Sequence, residues 1–325
     1  MEKILIIGGG GMVGQKLAHH LAAHGLNGAE AEVTLYDMAY PETGAPAATR
    51  LTGNFSDPGE GARLAATRPD TIFYLAAIVS GESETNFDLG WQVNMMACWH
   101  FLEGLRAEHM ASGGTYRPRV VFTSSIAVFG TPFPEKIHDE FFSVPRTSYG
   151  AQKAISELML ADFSRKGFVD GIAIRLPTIC VRPGKANLAA SSFFSGIIRE
   201  PLNGQEALLP VADTVRHWHA TPRAAVGFLT HAAGLDTARL DGRIALTMPG
   251  VSCTVAEQIE ALRKAAGDKA VALIRPEPDE AVMKIVAGWP RNFAPDRAIG
   301  LGFQAEANFD EIVRIYIEEE NPPGV

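Results

Sequence analysis

Ile4-Leu5-Ile6-Ile7-Gly8-Gly9-Gly10-Gly11-Met12-Val13-Gly14 is the passage from which the architecture is read. Four consecutive apolar residues running into glycine are the pattern of a central parallel strand, buried on both faces. An amphipathic helix follows, to about Gly25. Gly8, Gly11 and Gly14 permit a tight turn, close approach of the backbone to a pyrophosphate, and close helix–strand contact. Met12 and Val13 lie within this loop, and the N-terminal N–H groups and dipole of the helix after it are suited to phosphate. A glycine-rich turn alone is a weak signal; the strand before it and the helix after it point to a nucleotide site. The next strand, Glu32-Val33-Thr34-Leu35-Tyr36-Asp37, ends in a carboxylate placed to bond the adenosine ribose hydroxyls, about 20 residues past the loop. Asp37 repels a 2′-phosphate and Met38 brings no compensating charge, so NAD is favoured over NADP.

Further alternation follows: Arg50 to Phe55, a helix near Gly59 to Thr67, Thr71 to Ala77, a long helix from about Glu84 to Glu108 carrying Asn94, and Arg119 to Ser125. Strands alternating with helices predict an α/β chain with a doubly wound parallel sheet and right-handed crossovers. Ala76, Ala77, Ser124 and Ser125 then fall at carboxyl ends of strands, where such sheets bind ligands. Tyr149 and Lys153 stand one turn apart on the following helix, a phenol beside an ammonium. A phenol titrates near ~10, and a neighbouring cation favours its ionised form, bringing it toward use as a base. Ser125 adds a hydroxyl to fix a substrate alcohol. Tyr and Lys meet at this spacing in many helices by chance; the glycine loop and the strand-end serines are what raise the pair above chance.

The 325 residues carry a net charge of −8 with no basic run, which argues against a nucleic-acid partner. Cys98, Cys180 and Cys253 lie far apart without zinc or disulfide spacing, and no histidine has a ligand-spaced partner, so no metal is expected. A reducing, cytoplasmic setting and no membrane contact are the corresponding expectations.

Together these pieces resemble the extended short-chain dehydrogenase/reductase family: Gly8-x-x-Gly11-x-x-Gly14, Asp37, Leu75-Ala76-Ala77, Asn94, Ser124-Ser125 with Val128-Phe129-Gly130, Tyr149-x-x-x-Lys153 with Glu157, and Arg175-Leu176-Pro177. The resemblance implies a Rossmann-type sheet, NAD, and catalysis by Ser125, Tyr149 and Lys153. It places Asn54 and Phe55 by the adenine, Ala76 and Ala77 by the phosphates and ribose, and Lys153 and Pro177 by the nicotinamide end. Asn94 and Ser124 join the cofactor set. It also implies a homodimer through the long helix and the Tyr149 helix, with Trp91, Trp99 and Phe101 assigned to core or subunit interface.

Past Pro177 the composition shifts to loops and short elements. The expected division is 1–176 for the cofactor, with about 216–248 returning to it, and 177–325 mainly a smaller substrate-binding lobe. Ala224 to Leu235, Thr254 to Ala266 and Asp310 to Ile317 read as helices, and Arg243 to Thr247 as a strand. Ile126-Ala127 after Ser125 lacks the acid pair of the sugar-nucleotide dehydratases, and Arg216-His217-Trp218-His219 departs from the nucleotide-sugar pattern. That run, with Arg182-Pro183-Gly184-Lys185 and Ser191 to Ser195, is similar to the D-erythronate dehydrogenases of this superfamily. The similarity implies NAD-dependent oxidation of the C2 hydroxyl of a four-carbon sugar acid. Arginine binds carboxylates bidentately, so Arg182 and Arg216 are the substrate candidates, backed by Lys185, with Thr178 beside Pro177. His217 and His219 read as packed or solvated strand residues rather than catalytic ones. A nucleotide-sugar 4-epimerase and a non-catalytic NAD-sensing regulator stay open as alternatives.

Overall fold

Ile4 to Ile7 sit at the middle of the molecule, each no more than 2 % exposed, with strands on both sides and helices on both faces. A computed structural model describes residues 1–45, 48–184 and 190–323. The chain begins β1 (Glu2–Ile7), α1 (Met12–His24), β2 (Ala31–Asp37), β3 (Thr49–Thr52), α2 (Glu60–Ala65) and β4 (Thr71–Tyr74). It continues α3 (Ser80–Thr85), α4 (Phe87–Trp91), α5 (Ala97–Ala111), β5 (Arg119–Ser125), β6 (Ile137–His138), α6 (Ser148–Arg165) and β7 (Asp170–Leu176). Then come β8 (Thr178–Ile179), α7 (Ser192–Leu202), β9 (Ala207–Leu209), β10 (Arg216–Ala220), α8 (Pro222–Gly234), β11 (Ala245–Thr247) and β12 (Val251–Thr254). The chain closes with α9 (Val255–Val271), β13 (Ile274–Pro276), α10 (Glu280–Ala287), β14 (Phe293–Ala294), α11 (Asp296–Gly300) and α12 (Phe309–Glu320).

The main sheet has seven strands in the order β11-β7-β5-β4-β1-β2-β3, and every pairing in it is parallel. The order reverses between β1 and β4, so the carboxyl ends of these strands open a crevice there. An aromatic cluster of Tyr36, Phe55, Tyr74, Phe101 and Phe122 packs between the sheet and its helices. Within the segment expected to return to the sheet, β11 pairs with β7, whereas β10 forms a separate three-stranded sheet with β8 and β12.

A second apolar core gathers Phe194, Ile197, Ile198, Leu202, Val255, Leu262, Phe309 and Ile312 from α7, α9 and α12. α9 opens on a reciprocal capping box between Thr254 and Glu257. The helix expected from Glu84 to Glu108 is broken instead. Asn86 leaves the helical region (φ −125°, ψ 82°), and its side chain caps Leu89 N–H to start α4. A π-helical turn at Gln92–Met96 then leads into α5. β13, α10 and β14 have no counterpart in the sequence reading. No helix among the described residues is long and apolar enough to cross a membrane.

Candidate active site

The glycine turn is a cradle that side chains would fill. At Gly8 (φ 89°) a Cβ would meet Ala76 N at 2.6 Å, and at Gly14 it would meet Gly8 O at 2.4 Å. These two glycines are set by the close approach of turn, helix and neighbouring strand end. At Gly11 a Cβ would meet nothing nearer than 3.5 Å, so packing within the protein places no demand for glycine there. Gly11 caps α1 without a side-chain hydrogen bond, and no acid stands in the helix's first turn, where Met12 and Val13 lie. The amide N–H groups and dipole of that end therefore carry no compensating acid from the helix's own first turn, as a pyrophosphate site requires. Asp37 Oδ2 accepts the Gly10 N–H at 2.8 Å and Oδ1 accepts the Met38 N–H at 2.7 Å. The carboxylate is thereby pinned beside the turn with further lone pairs unused. On these grounds the residues present fit NAD.

Ser125 ends β5, and Tyr149 and Lys153 enter from the first turns of α6, which is capped by the Thr147 side chain on Gly150 N–H. All three line one open cleft, together with Val13, Ala77, Ser124, Pro177, Thr178 and Arg182. The Ser125 Oγ accepts the Ala127 N–H at 3.1 Å, leaving its own proton to donate. Lys153 is 2 % exposed; its Nζ donates to the Thr123 carbonyl at 2.8 Å and lies 4.7 Å from the centre of the Phe122 ring. Burial brings its pKa down to about 8.

Here the structure differs from the sequence expectation. Burial pushes the Tyr149 phenol up to about 12, opposed by the Arg182 charge and the Ser125 hydroxyl. The Arg182 charge lowers it, while Lys153 Nζ, donating to the strand-end carbonyl, stands 5.7 Å from the centre of the Tyr149 ring. Ser124 contributes by position: its hydroxyl donates to Glu157, which takes the Arg175 guanidinium in two hydrogen bonds at 2.9 and 2.7 Å.

Arg182 is held with its N–H to Ser195 Oγ at 3.0 Å and its Nε to the Ile179 carbonyl at 2.9 Å. It makes no ion pair with an acid among the described residues, although burial already lowers its pKa. Lys185 lies outside the described residues. Arg216 is not brought to the cleft: its guanidinium binds the Ser252 carbonyl at 3.0 Å and pairs with Glu257 at 3.2 Å on a partly exposed edge. Asn94, 1 % exposed, bonds both backbone groups of Ile78, fixing the loop after Ala77 and acting on the cleft through it. The Asn54 side chain closes a turn by bonding Ser56 and Asp57, and the Phe55 ring lies in the aromatic core. Residues missed by sequence reasoning include Ile78 to Ser80, Arg146, His217 and the Gly288-Trp289-Pro290 segment, all lining the cleft. No group of three or more His, Cys, Asp or Glu among the described residues is close enough to hold a metal.

Residues 4–220 match the NAD dependent epimerase/dehydratase family. The D-erythronate dehydrogenase of Cupriavidus necator is 45% identical over 323 residues, 97% of this chain and 98% of that one. That of Haemophilus influenzae is 39% identical over 318 residues, 97% and 99% of the two chains. A solved structure from Agrobacterium tumefaciens, described as a nucleoside-diphosphate-sugar epimerase, is 53% identical with a TM-score of 0.94, covering 100% of this chain and 95% of its own. The L-threonine dehydrogenase of Clostridium difficile, 21% identical, shares the fold at a TM-score of 0.84, over 98% of this chain and 97% of its own. Family match, sheet order and glycine cradle agree: the chain belongs to the NAD dependent epimerase/dehydratase family and is an NAD-dependent oxidoreductase.

Proposed function

We propose that the chain oxidises the C2 hydroxyl of a four-carbon sugar acid, D-erythronate to 2-dehydro-D-erythronate. The observation that carries this reading is Arg182: a half-buried guanidinium with no acid partner among the described residues, facing the cleft that Ser125 and Tyr149 line. A partly desolvated cation without an acid partner favours an anion, and the planar fork suits a carboxylate. The names of the Cupriavidus necator and Haemophilus influenzae relatives support the same substrate.

In this reading Ser125 donates to the C2 oxygen and Arg182 holds the carboxylate, aligning the C–H bond. Tyr149 takes the hydroxyl proton. Lys153, fixed on Thr123, holds positive charge behind the phenol. NAD, when bound, supplies the hydride acceptor and a positive charge that favours the phenolate. Gly8, Gly11, Met12, Val13, Gly14, Asp37, Ala76 and Ala77 hold the cofactor's pyrophosphate and ribose side, and Lys153 and Pro177 its nicotinamide end. Residues 1–176 thus serve mainly the cofactor and 177–325 mainly the substrate.

The exposed Trp99 and Leu158, 39 % and 72 % exposed on α5 and α6, support a homodimer through those helices. Sedimentation of a Leu158→Glu variant as a monomer against a wild-type dimer tests that part. The description of the Agrobacterium structure favours a second reading, a nucleotide-sugar epimerase, which oxidises and re-reduces with no net NADH. NADH absorbance with D-erythronate, L-threonate, glycerate, tartrate and a UDP-sugar separates them. Net NADH from D-erythronate supports the dehydrogenase; silence with every acid and epimerisation of the UDP-sugar overturns it.

A further inference from the structure

The His217 imidazole is clamped. The Phe194 ring is stacked on it at 5.2 Å between centres and 4° between planes, and Trp289 lies 5.2 Å away, tilted by 40°. Its Nδ1 is 3.0 Å from the Pro290 carbonyl oxygen, and its Nε2 is 2.7 Å from the Thr178 hydroxyl. A carbonyl oxygen only accepts, so Nδ1 carries the proton of this contact. Burial holds the ring neutral, with a pKa brought down to about 4. A neutral ring protonated at Nδ1 has a bare Nε2, which accepts. The Thr178 hydroxyl therefore donates to His217. Its single proton is committed, and its oxygen offers the cleft only lone pairs.

We infer that Thr178, oriented by the Pro290–His217 relay, is an obligate acceptor that reads a donor hydroxyl of the substrate other than the one oxidised. The inference rests on the sugar-acid reading and deepens it. Arg182 fixes one end of the molecule and Ser125 with Tyr149 the reacting carbon; Thr178 lines the same cleft as a third point. Such a point selects polyhydroxy acids over simple 2-hydroxy acids, since an analogue without the hydroxyl leaves the Thr178 oxygen unpaired. His217 is a positioning residue, acting through Thr178.

The test uses the full-length protein with NAD and three acids: D-erythronate, 2,3-dihydroxybutanoate (no 4-hydroxyl) and 2,4-dihydroxybutanoate (no 3-hydroxyl). Wild type is expected to lose about 10- to 100-fold in kcat/KM on the analogue lacking the recognised hydroxyl. Thr178→Val is expected to lose a similar factor on D-erythronate and nothing further on that analogue. Thr178→Ser restores the discrimination, and this rescue separates recognition from packing. Nitrogen-15 NMR of His217 is expected to report the Nδ1-protonated neutral ring through the neutral pH range. A ring protonated at Nε2 overturns the inference, as does an equal loss by Thr178→Val on all three acids or no loss at all. A wild type active on D-erythronate but indifferent to both missing hydroxyls overturns it while sparing the dehydrogenase reading; a wild type silent on every acid overturns both.

Discussion

Glu157 and Arg175 form a buried ion pair beneath the strand end that carries Ser124 and Ser125, with side chains 6 % and 13 % exposed. The pair is bidentate, and Glu157 also accepts the Ser124 hydroxyl, so its lone pairs are well used. Arg175 further lies over the Phe129 ring, 4.9 Å from its centre. Removing one member leaves the other charged in a low-dielectric site. Glu157→Gln and Arg175→Met should each destabilise the fold by about 3–5 kcal/mol, mostly the desolvation of the abandoned partner. The double variant abandons no charge, so its cost falls well short of the sum, with a coupling of about 2 kcal/mol or more. Urea unfolding followed at constant m supplies the four stabilities of the cycle. Additivity within about 0.5 kcal/mol refutes the reasoning, because independent sites behave that way. So does a single variant near wild type.

Tyr149→Phe should lower turnover by about 10²-fold or more while leaving NAD affinity near wild type, read by steady-state kinetics and cofactor titration. Arg182→Leu should raise KM for the sugar acid and move the rising limb of the pH–rate profile to higher pH, since the Arg182 charge lowers the Tyr149 pKa. Lys153 has a folded pKa of about 8, below its unfolded value of 10.5, so between those limits the unfolded chain holds more protons. Its contribution is full above the upper limit and is lost as pH falls through the lower one; wild-type stability relative to Lys153→Met should rise across that window in denaturant titrations. Gly14→Ala should weaken NAD binding and lower the melting temperature, because its methyl lands 2.4 Å from the Gly8 carbonyl oxygen.

The glycine turn and the Tyr149 helix were legible because their signals are local. β1, the glycine turn and α1 are contiguous, and Tyr149 and Lys153 share one helix face by spacing alone. The substrate side was not, because it is assembled from distant strands. Arg182 and Arg216 look alike in sequence, and parity on β10 separates them. His217 faces the cleft, and side chains alternate along a strand, so Arg216 must point the other way. Which parity faces inward is settled only by the Phe194 ring packing on His217 and the Phe293 ring on Trp218. Pro290 reaches the cleft from a segment far along the chain with no periodic pattern to announce it. Asn86 broke the long helix through its cap, a choice the continuous apolar spacing concealed. The phenol's pKa ran opposite to expectation because helical spacing counts neighbours and is blind to burial.

The seventh strand, β11, comes 71 positions after the end of the strand it pairs with, Leu176 to Thr247. During synthesis at about 5–20 residues per second, β7 therefore emerges and waits several seconds with one row of backbone groups open. Its apolar cover also lags, since α8, which packs on β5 and β7, is still unmade. An unpaired parallel strand of this kind is a template for other nascent chains. A ribosome stalled, or a gene cut, shortly after Pro177 would release a chain bearing the complete glycine cradle and the Ser125, Tyr149 and Lys153 side chains, yet with an adhesive flank. The cofactor half is consequently not a detachable cassette: a shuffled or truncated version needs residues through Thr247 to be sealed.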